Sequence, residues 1–111
     1  MSLYKTEFPD FDDILRIPKG FKDCSYHNDM MPHVEQRFVR DDTGEVSVCI
    51  WQDYVNPNKR EDLVFGGYRF ALTIEINRDA IFEYKSNDWS DIEQMLKYVN
   101  PLTYNGWRKE I

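Results

Sequence analysis

Large apolar residues alternate with small or polar ones from Tyr68 to Ile76. Tyr68, Phe70, Leu72, Ile74 and Ile76 fall on one side of the count, and Arg69, Ala71, Thr73 and Glu75 on the other. Successive side chains of a strand point to opposite faces, so this period of two predicts a β-strand with one buried and one solvated face. The stretch NRD at 77–79 turns it into a shorter partner strand, AIFEYK. A second pair lies upstream. VEQRFVR and EVSVCIWQDY flank DDTG, where an Asp opens the turn and Gly44 ends it, which suits a type I turn closed by a left-handed residue. In the second of these strands Val46, Val48 and Ile50 share one face, while Ser47, Cys49, Trp51 and Asp53 share the other.

The period then lengthens. Ile92, Met95, Leu96 and Val99 recur at helical spacing and form one apolar stripe. SDIE ahead of the stripe reads as a capping box, with the Ser90 hydroxyl accepting from the N–H of Glu93 and the Glu93 carboxylate reaching back. Asp88 and Asp91 favour the positive end of the helix dipole, and Asn100 with Pro101 stops the helix. The tail LTYNGWRKEI either adds a short strand or packs Trp107 on the sheet. The N-terminal third shows no sustained period. One helical turn is expected after Pro9, capped by Asp10 and ended by Pro18 and Gly20, with loop from Phe21 to Pro32. The pattern predicts a single two-layer α+β domain over 1–111. Its parts are a mostly irregular segment 1–33, a four-stranded antiparallel sheet of two hairpins over 34–85, a C-terminal helix 88–100 packed on the apolar face, and a tail 101–111.

A chain of 111 residues is long enough to bury a core without disulfides or a metal. Its two cysteines, Cys24 and Cys49, are too few for a disulfide framework and read as free thiols of a reducing compartment. Twenty acidic against fourteen basic residues give a net charge of −6, which disfavours direct binding to nucleic acid phosphates or to an anionic membrane. The chain has no apolar run of membrane-spanning length and no signal pattern at its start, so the expected location is the cytoplasm.

Candidate chemistry concentrates in CSYHNDMMPH, residues 24–33. Cys24, His27, His33 and Cys49 are competent zinc ligands, but structural zinc sites bring two close ligand pairs and only Cys24 with His27 is close. No cofactor or metal is therefore expected. A Cys24 thiolate paired with His27 or His33 is a second possibility, without any family signature around it. Asp29, Asp53 and Glu61 are the carboxylates that would serve a metal-assisted hydrolase or nuclease, and Glu83-x-Lys85 has a spacing found in metal-dependent nucleases, without a matching upstream acid in a strand. FGGYR lacks the helix start that a phosphate loop needs. The plainer reading of residues 26–32 is an ordered loop: Asn28 and Asp29 fix a turn, Pro32 holds residue 31 extended, and Met30 and Met31 dock on apolar surface.

IPKGFKDCSYHNDMMP, then WQDY and the Arg60–Glu61 pair, resembles a group of short uncharacterised proteins encoded in phage and prophage genomes. The resemblance rests on Ile17, Pro18, Gly20, Phe21, Asp23, Ser25, Tyr26, Asn28, Asp29, Pro32, Trp51, Asp53, Tyr54, Arg60 and Glu61, roughly the middle half of the chain. It implies a phage-type accessory protein acting in a bacterial cytoplasm and brings no activity with it. The function expected is a protein-binding module whose partner is a host or phage protein. Its binding residues are Tyr26, Asn28, Asp29, Trp51, Asp53 and Tyr54, because aromatics beside carboxylates and an amide both stack and hydrogen-bond. The alternatives are the hydrolase on Asp29, Asp53 and Glu61, and a homo-oligomeric structural protein that pairs through an exposed sheet edge.

Overall fold

The alternating segments lie side by side at the middle of one antiparallel sheet. The computed structural model describes residues 3–40, 44–99 and 107–109. In chain order the elements are α1 (Leu3–Glu7), β1 (Lys22–Asp23), β2 (His33–Arg40), β3 (Gly44–Gln52), a 3-10 turn at Pro57–Lys59, β4 (Phe70–Ile76), β5 (Asp79–Ser86), α2 (Trp89–Val99) and β6 (Trp107–Lys109). The strand order is β1-β2-β3-β4-β5, and β6 also pairs with β2. β1 meets β2 at Val34 and Glu35, while β6 meets it between Phe38 and Arg40, so the two share one edge of β2. The sheet is thus five strands across, not the four the pattern predicts. β1 and β6 are two and three residues long, too short to show a period of two.

One face of the sheet carries the main core. Val34, Phe38, Val46, Val48, Ile50, Phe70, Leu72 and Ile74 meet Ile92 of α2, and Met95, Leu96 and Val99 pack around them. Fully burying an aliphatic or Phe side chain of this kind stabilises the fold by about 1.5–3 kcal/mol. The helical stripe therefore faces where its spacing predicts. The cap does not. Asp88 takes the cap position, its Oδ1 accepting from the N–H (3.0 Å) and hydroxyl (2.9 Å) of Ser90, which lies inside the helix. Ser86 Oγ accepts from Asp88 N–H and donates to Asp91, which ties the end of β5 to the start of α2. The predicted helix stop at Asn100 and Pro101, the turn residues 41–43, and most of the tail lie outside the described residues.

The β4–β5 turn places Asn77 (φ 50°) and Arg78 (φ 74°) in the left-handed region, the geometry of a tight hairpin turn that matches strand twist. Asn77 Oδ1 also accepts from the N–H of Glu45. A Cβ on Gly44 (φ +86°) would sit 2.6 Å from that same oxygen, so both the backbone and the space require glycine there.

The N-terminal third differs most from expectation. The helix lies before Pro9, not after it, and the bond from Phe8 N–H to Tyr4 O (2.8 Å) closes its last turn. Residues 10–16 then form an arm held by distant partners. Asp10 does not cap a helix; its carboxylate accepts from Tyr54 Oη–H (2.8 Å). Asp12 accepts from the N–H groups of Val55 and Asn56, and Arg16 N–H donates to Gln52 Oε1. The second sheet face is not open to water as the alternation of β4 predicts. Ala71 and Thr73 are buried, because Met31 and Phe65 fold over Ala71 with Trp51 beside them. No helix among the described residues is long and apolar enough to cross a membrane.

Candidate functional site

Register decides what shares this second face. His33 lies opposite Trp51 and Glu35 opposite Cys49, while Cys49 lies opposite Thr73 and Ser47 opposite Glu75. These residues alternate with the core positions, so their side chains project away from α2. The segment after β1 closes over them. Cys24 N–H donates to His33 O (3.0 Å), extending the β1–β2 ladder by one residue, and His33 N–H donates to Ser25 Oγ (3.2 Å). The turn from Tyr26 O to Asp29 N–H (2.9 Å) then brings Asp29 beside His33.

The result is a cavity of about 350 Å3, lined by Cys24, Tyr26, Asp29, His33, Glu35, Cys49, Trp51, Glu75 and Arg78. At its floor the His33 imidazole stacks on the Trp51 indole, with ring centroids 4.1 Å apart and planes 19° from parallel. Trp51 Nε1–H donates to Thr73 Oγ1 (3.3 Å), which fixes the indole. His33 Nε2 bonds Glu35 Oε2 at 2.8 Å, and Arg37 Nε lies 3.4 Å from Glu35 Oε1. The hydrogen bond from His33, aided by Arg37, holds the Glu35 carboxyl below its usual range despite burial. On the other side of the ring, His33 Nδ1 is 3.7 Å from Asp29 Oδ2, too far for a hydrogen bond. Among the described residues it has no hydrogen-bond partner, although His33 is only 5% exposed.

Both thiols are held in the protonated form. Burial pushes the Cys24 thiol up, and Glu35 beside it adds to the effect. Burial likewise pushes Cys49 far up, with Glu35 and Glu75 adding to it. A nucleophilic cysteine needs a cationic setting, and these surroundings oppose thiolate formation. Burial also raises the Glu75 carboxyl, which accepts from Cys49 Sγ–H at 3.8 Å.

Of the residues the sequence nominates for binding, Tyr26, Asp29 and Trp51 line this cavity. Asn28 stands just outside it, its Nδ2–H donating to Tyr26 Oη (3.0 Å). Asp53 and Tyr54 lie elsewhere. Asp53 is fully buried and accepts from the N–H groups of Tyr54 (2.8 Å) and Glu61 (2.9 Å). Tyr54 is buried edge-on against Phe11. Arg60 spans the same loop, donating to the carbonyls of Tyr54, Val55 and Gly67. Cys24, His33 and Cys49 share the cavity, but His27 turns away to Glu7 at 3.0 Å. Among the described residues no three His, Cys, Asp or Glu side chains are grouped so as to hold a metal ion.

An apolar groove of about 480 Å3 adjoins the cavity and shares Trp51 and Glu75 with it. Met30, Val64 and Ile81 line it and are all exposed. Glu35 and Glu75 are not among the residues the sequence nominates, and His33 is nominated there as a metal ligand or as the imidazole partner of Cys24. The signal that places them was present: counting back from the Arg40–Gly44 pair at the hairpin turn sets His33 opposite Trp51. No protein-family model matches the chain, and neither a curated protein nor a solved structure matches it.

Proposed function

We propose that this chain is a small protein-binding module, a phage-type accessory protein of the bacterial cytoplasm that docks on a host or phage partner. The docking surface is the sheet face opposite α2. The observation that carries the reading is the continuity of a polar cavity with an exposed apolar groove across Trp51 and Glu75. Protein interfaces combine an apolar centre built on aromatics with a polar surround, and this face has both in one patch. The thiols and the carboxylates favour binding over catalysis. The thiols are held protonated, and Asp53, a carboxylate a hydrolase would need, is taken up by two backbone N–H groups.

The test is affinity capture with the intact chain from bacterial lysate, followed by direct titration of the captured protein against Val64→Asp and Ile81→Asp variants. Both side chains are largely exposed, so each variant should melt within about 2 °C of the parent. Binding should fall at least tenfold, a loss of about 1.4 kcal/mol. Undiminished binding by both variants rejects the surface. Ile81 lies on β5, an outer strand paired to β4 alone among the described strands. Sedimentation of the parent and Ile81→Asp therefore also tests the homo-oligomer alternative, which requires a dimer that the variant loses.

A further inference from the structure

The cavity floor holds an unmet hydrogen-bonding atom. Glu35, held ionised, can only accept, so the proton shared with it sits on His33 Nε2. In the neutral ring Nδ1 is then a lone-pair acceptor, buried and without a donor in reach among the described residues. A second proton on the ring would make Nδ1 a donor with only a 3.7 Å ion pair to Asp29 Oδ2, longer than a hydrogen bond. With the ring neutral, two acceptors stand 3.7 Å apart, close enough for a single N–H-rich group seated beside them to donate to both.

The charges around them point the same way. Asp29, Glu35 and Glu75 line the cavity against the one guanidinium of Arg78. Glu35 is already engaged by His33 and Arg37 and Glu75 by the Cys49 thiol, which leaves Asp29 as the lining carboxylate without a hydrogen bond among the described residues. A volume of about 350 Å3 is at the small end for ligand sites, enough for a headgroup and not for a large organic molecule. We propose that this cavity takes an N–H-rich cation, an ammonium or guanidinium group, bonded to His33 Nδ1 and the Asp29 carboxylate. A lysine or arginine side chain of the docked partner and a free amine share this chemistry. The proposal deepens the reading of this face as a docking surface and rests on it.

The experiment is an NMR titration of the intact chain, following the His33 ring nitrogens and the Trp51 indole N–H. The probes are N-acetyl-arginine amide, N-acetyl-lysine amide, putrescine and, as the uncharged counterpart, N-acetyl-citrulline amide. At least one cation should shift both rings saturably with a Kd on the order of 1 mM, the tightest of the three naming the source, and the neutral probe should not. Asp29→Asn, whose carboxyl makes no hydrogen bond in the described structure, should remove the response at unchanged melting temperature, and Glu75→Gln should weaken it. Equal shifts from the citrulline probe, no saturable shift from any cation at about 10 mM, or a full response in Asp29→Asn overturns the proposal. Partner binding lost in Ile81→Asp but intact in Asp29→Asn rejects the cation site and leaves the docking surface standing; the reverse pattern rejects the groove alone.

Discussion

Asp53 and Asp29 look alike in the sequence, and the structure gives them opposite consequences. Asp53→Ala strands two backbone N–H groups, those of Tyr54 and Glu61, which now donate to the carboxylate at 2.8 and 2.9 Å. A buried donor left unsatisfied costs about 1–3 kcal/mol. Tyr54 N is buried and stands toward the upper end, whereas Glu61 N is only partly buried and recovers some solvation. Against this, burial raises the Asp53 carboxyl despite those two bonds, so removing the charge returns part of the loss. The net expectation is about 2–4 kcal/mol, or roughly 8–16 °C in melting temperature at about 4 °C per kcal/mol. Asp53→Asn keeps one acceptor oxygen and should lose about 1–2 kcal/mol. Asp29→Ala should stay within about 0.5 kcal/mol, as a partly exposed site outside such networks does. Urea unfolding followed by tryptophan fluorescence measures all three. Equal losses for Asp53→Ala and Asp29→Ala, or a loss under about 0.5 kcal/mol for Asp53→Ala, would show that the buried carboxylate does not hold the 53–61 loop.

Leu72→Ala should cost about 2–5 kcal/mol by thermal or urea unfolding, the range for a buried leucine. Thr73→Ala should cost about 1 kcal/mol, because it removes the acceptor of the Trp51 indole inside the second, smaller cluster; no loss at all would mean that the Thr73 face is open to water. Glu35 gives a pH dependence. Its folded pKa is depressed, chiefly by the bond from His33, so its contribution is complete above the unfolded carboxyl value and disappears as pH falls through the folded one. The stability gap between the parent and Glu35→Gln should therefore narrow as the pH of urea titrations falls from about 5 to about 3, and a gap that stays constant or widens there contradicts the assignment.

What was legible in the sequence follows from what is local. The apolar face of β4 from Phe70 on, the apolar face of β3 and the stripe of α2 are set by neighbours a few residues away, and the structure has them as predicted, whereas the solvated face expected for β4 is covered by residues distant in sequence. The helix cap lies two residues before the one the sequence suggests because Ser90 and Asp88 are both good caps, and the choice falls to Asp88 through a contact with Ser86 at the end of β5. The arm 10–16, with its three aspartates, reads as irregular because its order comes from residues more than thirty positions away. The candidate site was half visible. Its loop and Trp51 stand out as residue types, whereas Glu75 joins them only through two successive strand registers.

Gln52 links these levels. It is 1% exposed, and its carboxamide accepts from Arg16 N–H while donating to Ile14 O and Asp13 Oδ2. Those are the bonds a neighbouring peptide group would make, so one side chain acts as a surrogate strand to which the arm is laced. Arg69 reinforces the lacing by pairing with Asp13. Such bonds span 36 to 56 residues. The arm has little regular structure of its own to form early, and closing loops of that size is entropically costly until the far partner is already fixed. The arm 10–16 is therefore expected to order after the β3–β4 frame it is laced to.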